Sequence, residues 1–183
     1  MSLVRVAAVS ALALAVLPLP AGAAQTFPIT PGTLEFQAGL AGIVLPEDTN
    51  GMFSAQPQLR AGLFLQEGLE LQAEGDVRVW PLGPIAAHSY QVTGNLLWFP
   101  KVSDHHELYL LGGGGGAFSD PPGPEGGSFD PLLRGGLGVK IPLVALTEAF
   151  RALYFTAEYR GEAVFATNTS FVSGVALGFS RFR

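Results

Sequence analysis

Apolar and polar residues alternate with a period of two along most of the chain after Gly32. The stretch LELQAEGDVRVW, residues 69–80, shows this best, because nearly every odd position is apolar and nearly every even position carries a charge or an amide. Side chains of a β-strand point alternately to opposite faces, so the spacing predicts a strand with one apolar and one polar face. Two environments suit such a strand. In a soluble sheet the apolar face is in a core, whereas in a membrane barrel it faces lipid.

Short alternating segments recur down the chain and are separated by Pro, Gly, Asn and Asp, which is typical of an antiparallel all-β protein. They predict eight strands, at Thr33–Leu45, Ser54–Gln66, Leu69–Trp80, Ser89–Phe99, Glu107–Phe118, Leu132–Ile141, Tyr154–Phe165 and Ser170–Phe182. We expect a tight turn at Glu67-Gly68, a loop through the Pro/Gly-rich residues 119–131, and a short helical turn within residues 142–153. Strands of this length match the tilted span of a hydrocarbon layer. The predicted fold is therefore an all-β, eight-stranded, antiparallel, up-and-down transmembrane β-barrel.

The two strand faces predict which side chains meet lipid and which fill the barrel. We expect the lipid-facing set to include Leu63, Leu69, Leu71, Val77, Val79, Leu137, Val139, Phe155, Tyr159, Leu177 and Phe179. We expect an interior charge network of Glu35, Arg60, Glu70, Glu74, Asp76, Arg78, Glu107, Arg134, Lys140, Glu158, Arg160 and Glu162. An eight-stranded barrel is only just wide enough for side chains to fill it, so this nearly balanced set would plug the lumen. A soluble lipocalin-like barrel requires the reverse arrangement.

Apolar residues on the polar face leave an alternative open. Phe64, Leu97, Phe99 and Leu111 share the inward parity, and a hole between them would suit a narrow channel or carrier for small apolar solutes. A soluble periplasmic lipid-binding barrel is a further alternative. Aromatic residues near strand ends are expected to form girdles at the membrane interfaces. These are Trp80, Tyr90, Trp98, Phe99, Tyr154, Phe165 and Phe179.

The N-terminus has the features of a secretory signal peptide. Arg5 precedes an apolar stretch from Val6 to Leu19, and small residues follow at positions 21, 23 and 24. We expect residues 1–24 to be cleaved and residues 25–183 to form the barrel domain. The chain has no cysteine, so an exported domain of this kind has no disulfide framework.

Charge and motif content point away from nucleic acid and from catalysis. The formal net charge is -5, and no cluster of Lys or Arg occurs, so we expect no nucleic-acid partner. The glycine run at residues 112–116 lacks the rest of a phosphate-binding motif, and the adjacent His105 and His106 lack a third ligand at suitable spacing. Glu158 and Glu162 could mimic an acid/base pair, but Arg160 between them is better explained as their counter-ion. We therefore expect no catalytic residue, no cofactor and no metal.

The signal peptide, the eight alternating segments and the sequences YLLGGGGGAF, RGGLGVKIPL and FVSGVALGFSRFR together resemble the small outer-membrane β-barrels of Gram-negative bacteria, the OmpA-, OmpX- and OmpW-like proteins. The resemblance covers residues 32–183. It implies a monomer in the bacterial outer membrane, with lipid and the barrel-assembly machinery as partners and no known external ligand. Phe171, Val175, Leu177 and Phe179 resemble the family's C-terminal assembly signal. The family's signal ends in an aromatic residue, whereas here Phe182 is followed by Arg183.

The same resemblance implies a topology with both termini in the periplasm. The segments Pro46–Phe53, Pro81–Ala87, Ser119–Pro131 and Ala166–Thr169 would then face outward. The connections Glu67-Gly68, Pro100–His106 and Pro142–Leu153 would face the periplasm. The narrow-channel alternative corresponds to the OmpW-like members.

Overall fold

A computed structural model describes residues 29–44, 53–82, 85–100, 107–120, 127–143, 152–166 and 169–183. The chain forms eight strands: β1 Leu34–Val44, β2 Phe53–Gln66, β3 Leu69–Leu82, β4 Ile85–Trp98, β5 Glu107–Asp120, β6 Ser128–Pro142, β7 Leu153–Phe165 and β8 Thr169–Phe182. Each strand pairs antiparallel with its sequence neighbours, and β1 pairs with β8 to close the barrel. The predicted fold class is confirmed. No helix in the described ranges is long and apolar enough to cross a membrane.

Several sequence expectations lie outside the described residues. These are the signal peptide, the helical turn expected between β6 and β7, His105 and His106, and most of the other connecting loops. The loop expected at Pro81–Ala87 was too long, because β3 continues to Leu82 and β4 begins at Ile85. The tight turn at Glu67-Gly68 does form. Gly68 adopts a φ of 77°, a left-handed conformation that glycine adopts without steric cost.

The Pro/Gly-rich residues 119–131 were expected to be loop throughout, and this was wrong at both ends. β5 continues to Asp120 and β6 begins at Ser128. Phe118 and Phe129 are register partners, with ring centroids 5.0 Å apart, and such cross-strand aromatic pairs stabilise a sheet. Pro131 pairs with Gly116 inside this extension. A proline removes only one ladder donor, so near a strand end the aromatic pair can outweigh that loss.

The register fixes the size and tilt of the barrel. A row of register partners that leaves β8 at Arg181 circles the barrel and returns to β8 at Phe171, a stagger of ten residues. The row passes through Phe36, Ala61, Ala73, Gly94, Gly114, Leu133 and Ala163. With eight strands this stagger gives a strand tilt of about 40°. Strands of 14 residues at this tilt are long enough for a hydrocarbon layer of roughly 30 Å.

The strand faces differ as sharply in burial as in composition. Large apolar side chains are open on the outside of the barrel, with Leu59 69% and Phe171 71% exposed. The charged face points inward, where Arg160 is only 1% exposed. The barrel has two distinct ends. We call the end that carries Gly68 and Arg183 the terminal end, and the opposite end, where β1 leads towards β2, the loop end.

Candidate functional site

The candidate site is the packed interior of the barrel. Of the twelve charged residues expected there, eleven are 5% exposed or less: Glu35, Arg60, Glu70, Glu74, Asp76, Arg78, Arg134, Lys140, Glu158, Arg160 and Glu162. They come from β1, β2, β3, β6 and β7, and alternation turns each towards the barrel axis. For Glu107 only the backbone is described, and it pairs in register with Lys140.

One unit of the interior joins β2 to β7 across the barrel. Arg60 binds Glu158 through two parallel hydrogen bonds, Nη1 to Oε2 at 2.8 Å and Nη2 to Oε1 at 2.9 Å. Bidentate pairs of this kind are among the strongest charge-assisted contacts in proteins. Tyr109 on β5 donates its hydroxyl to the same carboxylate at 2.8 Å. Gly138 on β6 makes room for the Tyr109 ring, because a Cβ there would overlap it.

Glu74 is the centre of a second unit. Its carboxylate lies 2.8 Å from Arg60 Nε, 2.7 Å from Arg134 Nη1 and 2.7 Å from Arg160 Nη1. Three guanidinium groups from three strands thus converge on one carboxylate, whose side chain is inaccessible to solvent. Burying a charge is costly unless it is paired and hydrogen-bonded. All three guanidinium groups pair with Glu74, and Arg160 Nη1 also donates a hydrogen bond to it, whereas Arg60 Nε makes an ion pair without a hydrogen bond.

Nearer the loop end, the network continues through β3, β6 and β7. Arg134 Nη2 lies 2.7 Å from Glu162 and 3.3 Å from Asp76. Arg78 Nη2 lies 3.1 Å from Glu162, and Gln56 accepts a hydrogen bond from Arg78 Nη2 at 2.9 Å once its amide oxygen and nitrogen are interchanged. The contacts bridge opposite walls of the barrel at several heights, so they tie the strands together across the lumen.

The terminal end is closed by a cluster around Lys140, which we call the lysine cage. Lys140 Nζ donates to Glu35 and, at 2.9 Å, to Glu70. Four aromatic rings surround the ammonium, with centroids 4.9–5.6 Å away: Phe64, Phe99, Tyr109 and Phe182. A desolvated cation over aromatic faces is attracted to each ring. Gly62 leaves space for the Glu70 carboxylate, because a Cβ at position 62 would overlap it.

The expected pairing of Arg160 with its strand neighbours is not the main one. Its closest carboxylate is Glu74 across the lumen at 2.7 Å, whereas Glu158 and Glu162 lie 3.9 Å and 3.7 Å away. Residues two apart on a strand leave the backbone side by side, while residues on opposite walls meet tip to tip in a narrow barrel. Cross-barrel pairs are therefore the shorter ones.

The inward apolar residues pack against one another. Phe64 forms a cluster with Tyr154 and Phe182, and Leu97 forms another with Tyr109 and Leu111, while Phe99 packs against both. Two aromatic residues expected at the membrane interface therefore lie inside. Tyr154 is 0% exposed, because it shares the parity of Thr156 and Glu158. Phe99 packs 5.6 Å from Phe64 and 5.4 Å from Tyr109, measured between ring centroids.

Sequence reasoning also missed the neutral polar residues of the interior. Gln91, Thr93 and Asn95 on β4 are each 2% exposed or less. Arg134 donates to Gln91 and Thr93, each at 3.2 Å. β4 brings no charge of its own to the described interior, so these groups satisfy Arg134 on that wall. Their alternation in QVTGN was the available signal.

On the outside of the barrel, most of the expected lipid-facing side chains are exposed. Those more than a third exposed are Leu63, Leu71, Leu137, Tyr159, Leu177 and Phe179. Leu69, Val77 and Phe155 are partly buried, and the side chain of Val79 is not described. Val139 is only 4% exposed, although it has the outward parity. Alternation sets the direction in which a side chain leaves the sheet, but it does not by itself fix how exposed that side chain is.

Motifs considered for chemistry do not assemble into a reactive site within the described residues. The adjacent His88 and Ser89 could suggest hydrolase chemistry, but neighbouring residues on a strand point to opposite faces. Ser89 is buried in the interior, and the side chain of His88 is not described. In the described part of the chain, no three His, Cys, Asp or Glu side chains are grouped to hold a metal ion. The glycine run on β5 faces β4 and β6 in register, with Gly113 beside Asn95 and Gly116 beside the Phe129 ring.

Three solved structures share this architecture. The N-terminal β-barrel domain of Pseudomonas aeruginosa OprF has 12% identity and a TM-score of 0.56, covering 83% of this chain and 99% of that one. Neisserial surface protein A (NspA) has 14% identity and a TM-score of 0.58, covering 81% and 95%. Ail, the attachment invasion locus protein of Yersinia pestis, has 15% identity and a TM-score of 0.53, covering 84% and 100%.

The comparison by sequence adds nothing to these likenesses. No protein-family model matches the chain. No curated protein matches it by sequence. The chain therefore has the fold of the eight-stranded outer-membrane barrels, and the likeness reaches no further than the fold.

Proposed function

We propose that the chain is a bacterial outer-membrane protein whose lumen is plugged by its own side chains, and that it acts as a structural or surface-interaction protein through its external loops. In this proposal residues 1–24 are a cleaved signal peptide and residues 25–183 are the barrel domain. The protein is inserted as a monomer by the barrel-assembly machinery, which reads β8. It is not an enzyme.

The single observation that carries the proposal is the combination of an open apolar exterior with an ion-paired interior. Leu59, Phe129 and Phe171 are each more than half exposed on the outside. The charged groups of Glu74, Arg134 and Arg160 are completely or almost completely withdrawn from solvent. The apolar exterior is unfavourable in contact with water and favourable in contact with lipid. The interior leaves the ions paired with one another, so a solute that passed would have to displace those pairs.

Composition of the connecting segments supports action through the loop end. Residues 45–52, 83–84, 121–126 and 167–168 include Glu47, Asp48 and Glu125 and contain no Lys or Arg. Proline and glycine are frequent in them. Acidic segments of this kind suit contact with a cationic surface or partner. The names of two structural neighbours, a surface protein and an attachment protein, describe roles of the same general kind.

The location is tested by membrane fractionation followed by gel electrophoresis with and without boiling. We expect the protein in the outer-membrane fraction, and we expect the folded form to migrate differently from the boiled form. Recovery of the folded protein in the osmotic-shock supernatant, without detergent, would contradict the proposal and favour the soluble periplasmic alternative.

The plugged lumen is tested by single-channel recording in planar bilayers. We expect no steady conductance from the wild-type barrel, because cross-barrel ion pairs fill the interior. In the matched control, serine replaces all three of Arg60, Arg134 and Arg160. This removes the three guanidinium groups around Glu74 and should open a path for water through the lumen. A steady pore in the wild type would refute the plug. The narrow-channel alternative has less support, since the inward apolar residues pack together in clusters.

A further inference from the structure

The interior charges fall into two groups with different balances. Towards the loop end, four carboxylates and four guanidinium groups contact one another: Glu74, Asp76, Glu158 and Glu162 with Arg60, Arg78, Arg134 and Arg160. That group is neutral. In the lysine cage, two carboxylates contact one ammonium, Glu35 and Glu70 with Lys140. If both carboxylates were ionised, the cage would carry one uncompensated negative charge.

Burial makes that excess charge costly. Glu35 is 1% exposed, Glu70 is 0% exposed and Lys140 is 0% exposed. A buried carboxylate without its own counter-charge either finds one or takes up a proton. Among the described residues Glu35 and Glu70 make no other ion pair. The remaining walls of the cage are the rings of Phe64, Phe99, Tyr109 and Phe182, which offer no cation.

The geometry also leaves a place for a proton. The two carboxylates contact the same Nζ, so their oxygens are held close together. Two ionised carboxylates are acceptors only, so one of them must be protonated before they can bond. Glu35 Oε1 has no hydrogen-bond partner in the described structure.

We propose that Glu35 and Glu70 together bind one proton at neutral pH, so that the lysine cage is a buried proton-binding site with the composition carboxylic acid, carboxylate and ammonium. The proton comes from solvent when the barrel folds, and it returns to solvent when the barrel unfolds. No other bond forms or breaks. The inference rests on the barrel interior and holds wherever the protein resides.

Charged and titratable groups from the neighbouring strands face this site. Tyr109 on β5 and Tyr154 on β7 contribute phenols, and both are buried. Arg60 and Glu158 lie beyond Tyr109, but they neutralise each other through their bidentate pair. β4 and β8 present Leu97, Phe99, Ser180 and Phe182, none of which is charged. The Glu107 backbone pairs with Lys140, and the contribution of its side chain is controlled below.

The test is infrared spectroscopy of the folded barrel in lipid vesicles at neutral pH. A protonated carboxylic acid has a C=O stretch separate from the carboxylate and amide bands. Solvent-exposed carboxyl groups are ionised at this pH, so they do not contribute. We expect the wild type to show the band, and Glu35→Gln or Glu70→Gln to lose it, because either substitution leaves one carboxylate for one ammonium.

Two control variants define the outcome. Glu158→Gln and Glu107→Gln should both keep the band if the proton belongs to the lysine cage. The proposal is overturned if the folded wild type shows no band, if the band survives in both cage variants, or if either control removes it. Loss in only one cage variant supports the proposal and assigns the proton to that carboxyl. Each variant is first checked for folding by its gel shift on boiling.

A second measurement counts the proton directly. In the unfolded chain both carboxyl groups are ionised at neutral pH, so folding must take up one proton. The equilibrium constant for unfolding of the wild type should then rise about tenfold per unit of pH around neutrality. In Glu70→Gln that slope should be lost, while Glu158→Gln should retain it. Glu35→Gln is measured in the same way, and equal slopes in the wild type and in both cage variants would contradict the inference.

Discussion

Replacing Glu74 by Gln tests how much the interior network stabilises the barrel. The substitution keeps the shape of the side chain and removes its charge. Three guanidinium groups then lose a carboxylate at 2.7–2.8 Å. Arg60 keeps Glu158, and Arg134 keeps Glu162 and Asp76. Arg160 keeps only its longer contacts, 3.7 Å to Glu162 and 3.9 Å to Glu158, so it loses more charge compensation than the other two.

Breaking a buried ion pair by removing one partner costs about 3–5 kcal/mol, and we expect Glu74→Gln to lower the free energy of unfolding by that amount. The measurement is urea unfolding in lipid vesicles, with the folded fraction read from gels of unboiled samples. Asp130→Asn is the matched control, because Asp130 hydrogen-bonds only Ser128 at an exposed site. It should change stability by less than about 1 kcal/mol.

A second substitution separates lost charge from lost packing. If Arg160 is the group that loses most of its charge compensation, then Arg160→Gln added to Glu74→Gln should restore part of the stability. A single-variant loss below about 1 kcal/mol would refute the reasoning, because it would mean that water reaches the network and screens its charges. The absence of any recovery in the double variant would show that the cost lies elsewhere than in Arg160.

Three further substitutions test packing, hydrogen bonding and orientation in the same unfolding assay. Gly138→Ala should destabilise the barrel by about 1–3 kcal/mol, since the new Cβ would overlap the Tyr109 ring, whereas Gly112→Ala, with open space around it, should be neutral or stabilising. Tyr109→Phe removes a donor from the Glu158 carboxylate and should cost about 1.5–3 kcal/mol, and no change would show that another donor replaces it. Leu137→Lys places a charge on an exposed apolar face and should cost about 2–4 kcal/mol in lipid, whereas a neutral result would contradict contact with lipid.

Alternation in the sequence was sufficient to predict the closed barrel, because a period of two needs no knowledge of long-range contacts. It could not predict which charges meet. Arg60 and Glu158 are 98 positions apart, and their contact depends on the ten-residue stagger, which is a property of the whole barrel. The sequence contains no local signal for that stagger.

The errors have local physical causes. Residues 119–131 were assigned to a loop because proline and glycine dominate them, but a cross-strand pair of Phe118 and Phe129 extends the ladder through Pro131. Tyr154 was grouped with interface aromatics by its place near a strand end, although its parity already turned it inward. In the first case a composition rule was applied where the pairing partner decides the outcome, and in the second a position rule was applied where strand parity decides it.

Phe182 belongs both to β8 and to the ring of aromatic side chains around Lys140. It pairs in register with Glu35 on β1, and its ring packs 5.9 Å from Phe64 and 4.7 Å from Tyr154. The pairing of β1 with β8 and the closure of the lumen at the terminal end therefore depend on the same residue. A sheet without β8 would have an open edge along β1 and would leave Lys140 accessible to water on the side that Phe182 covers.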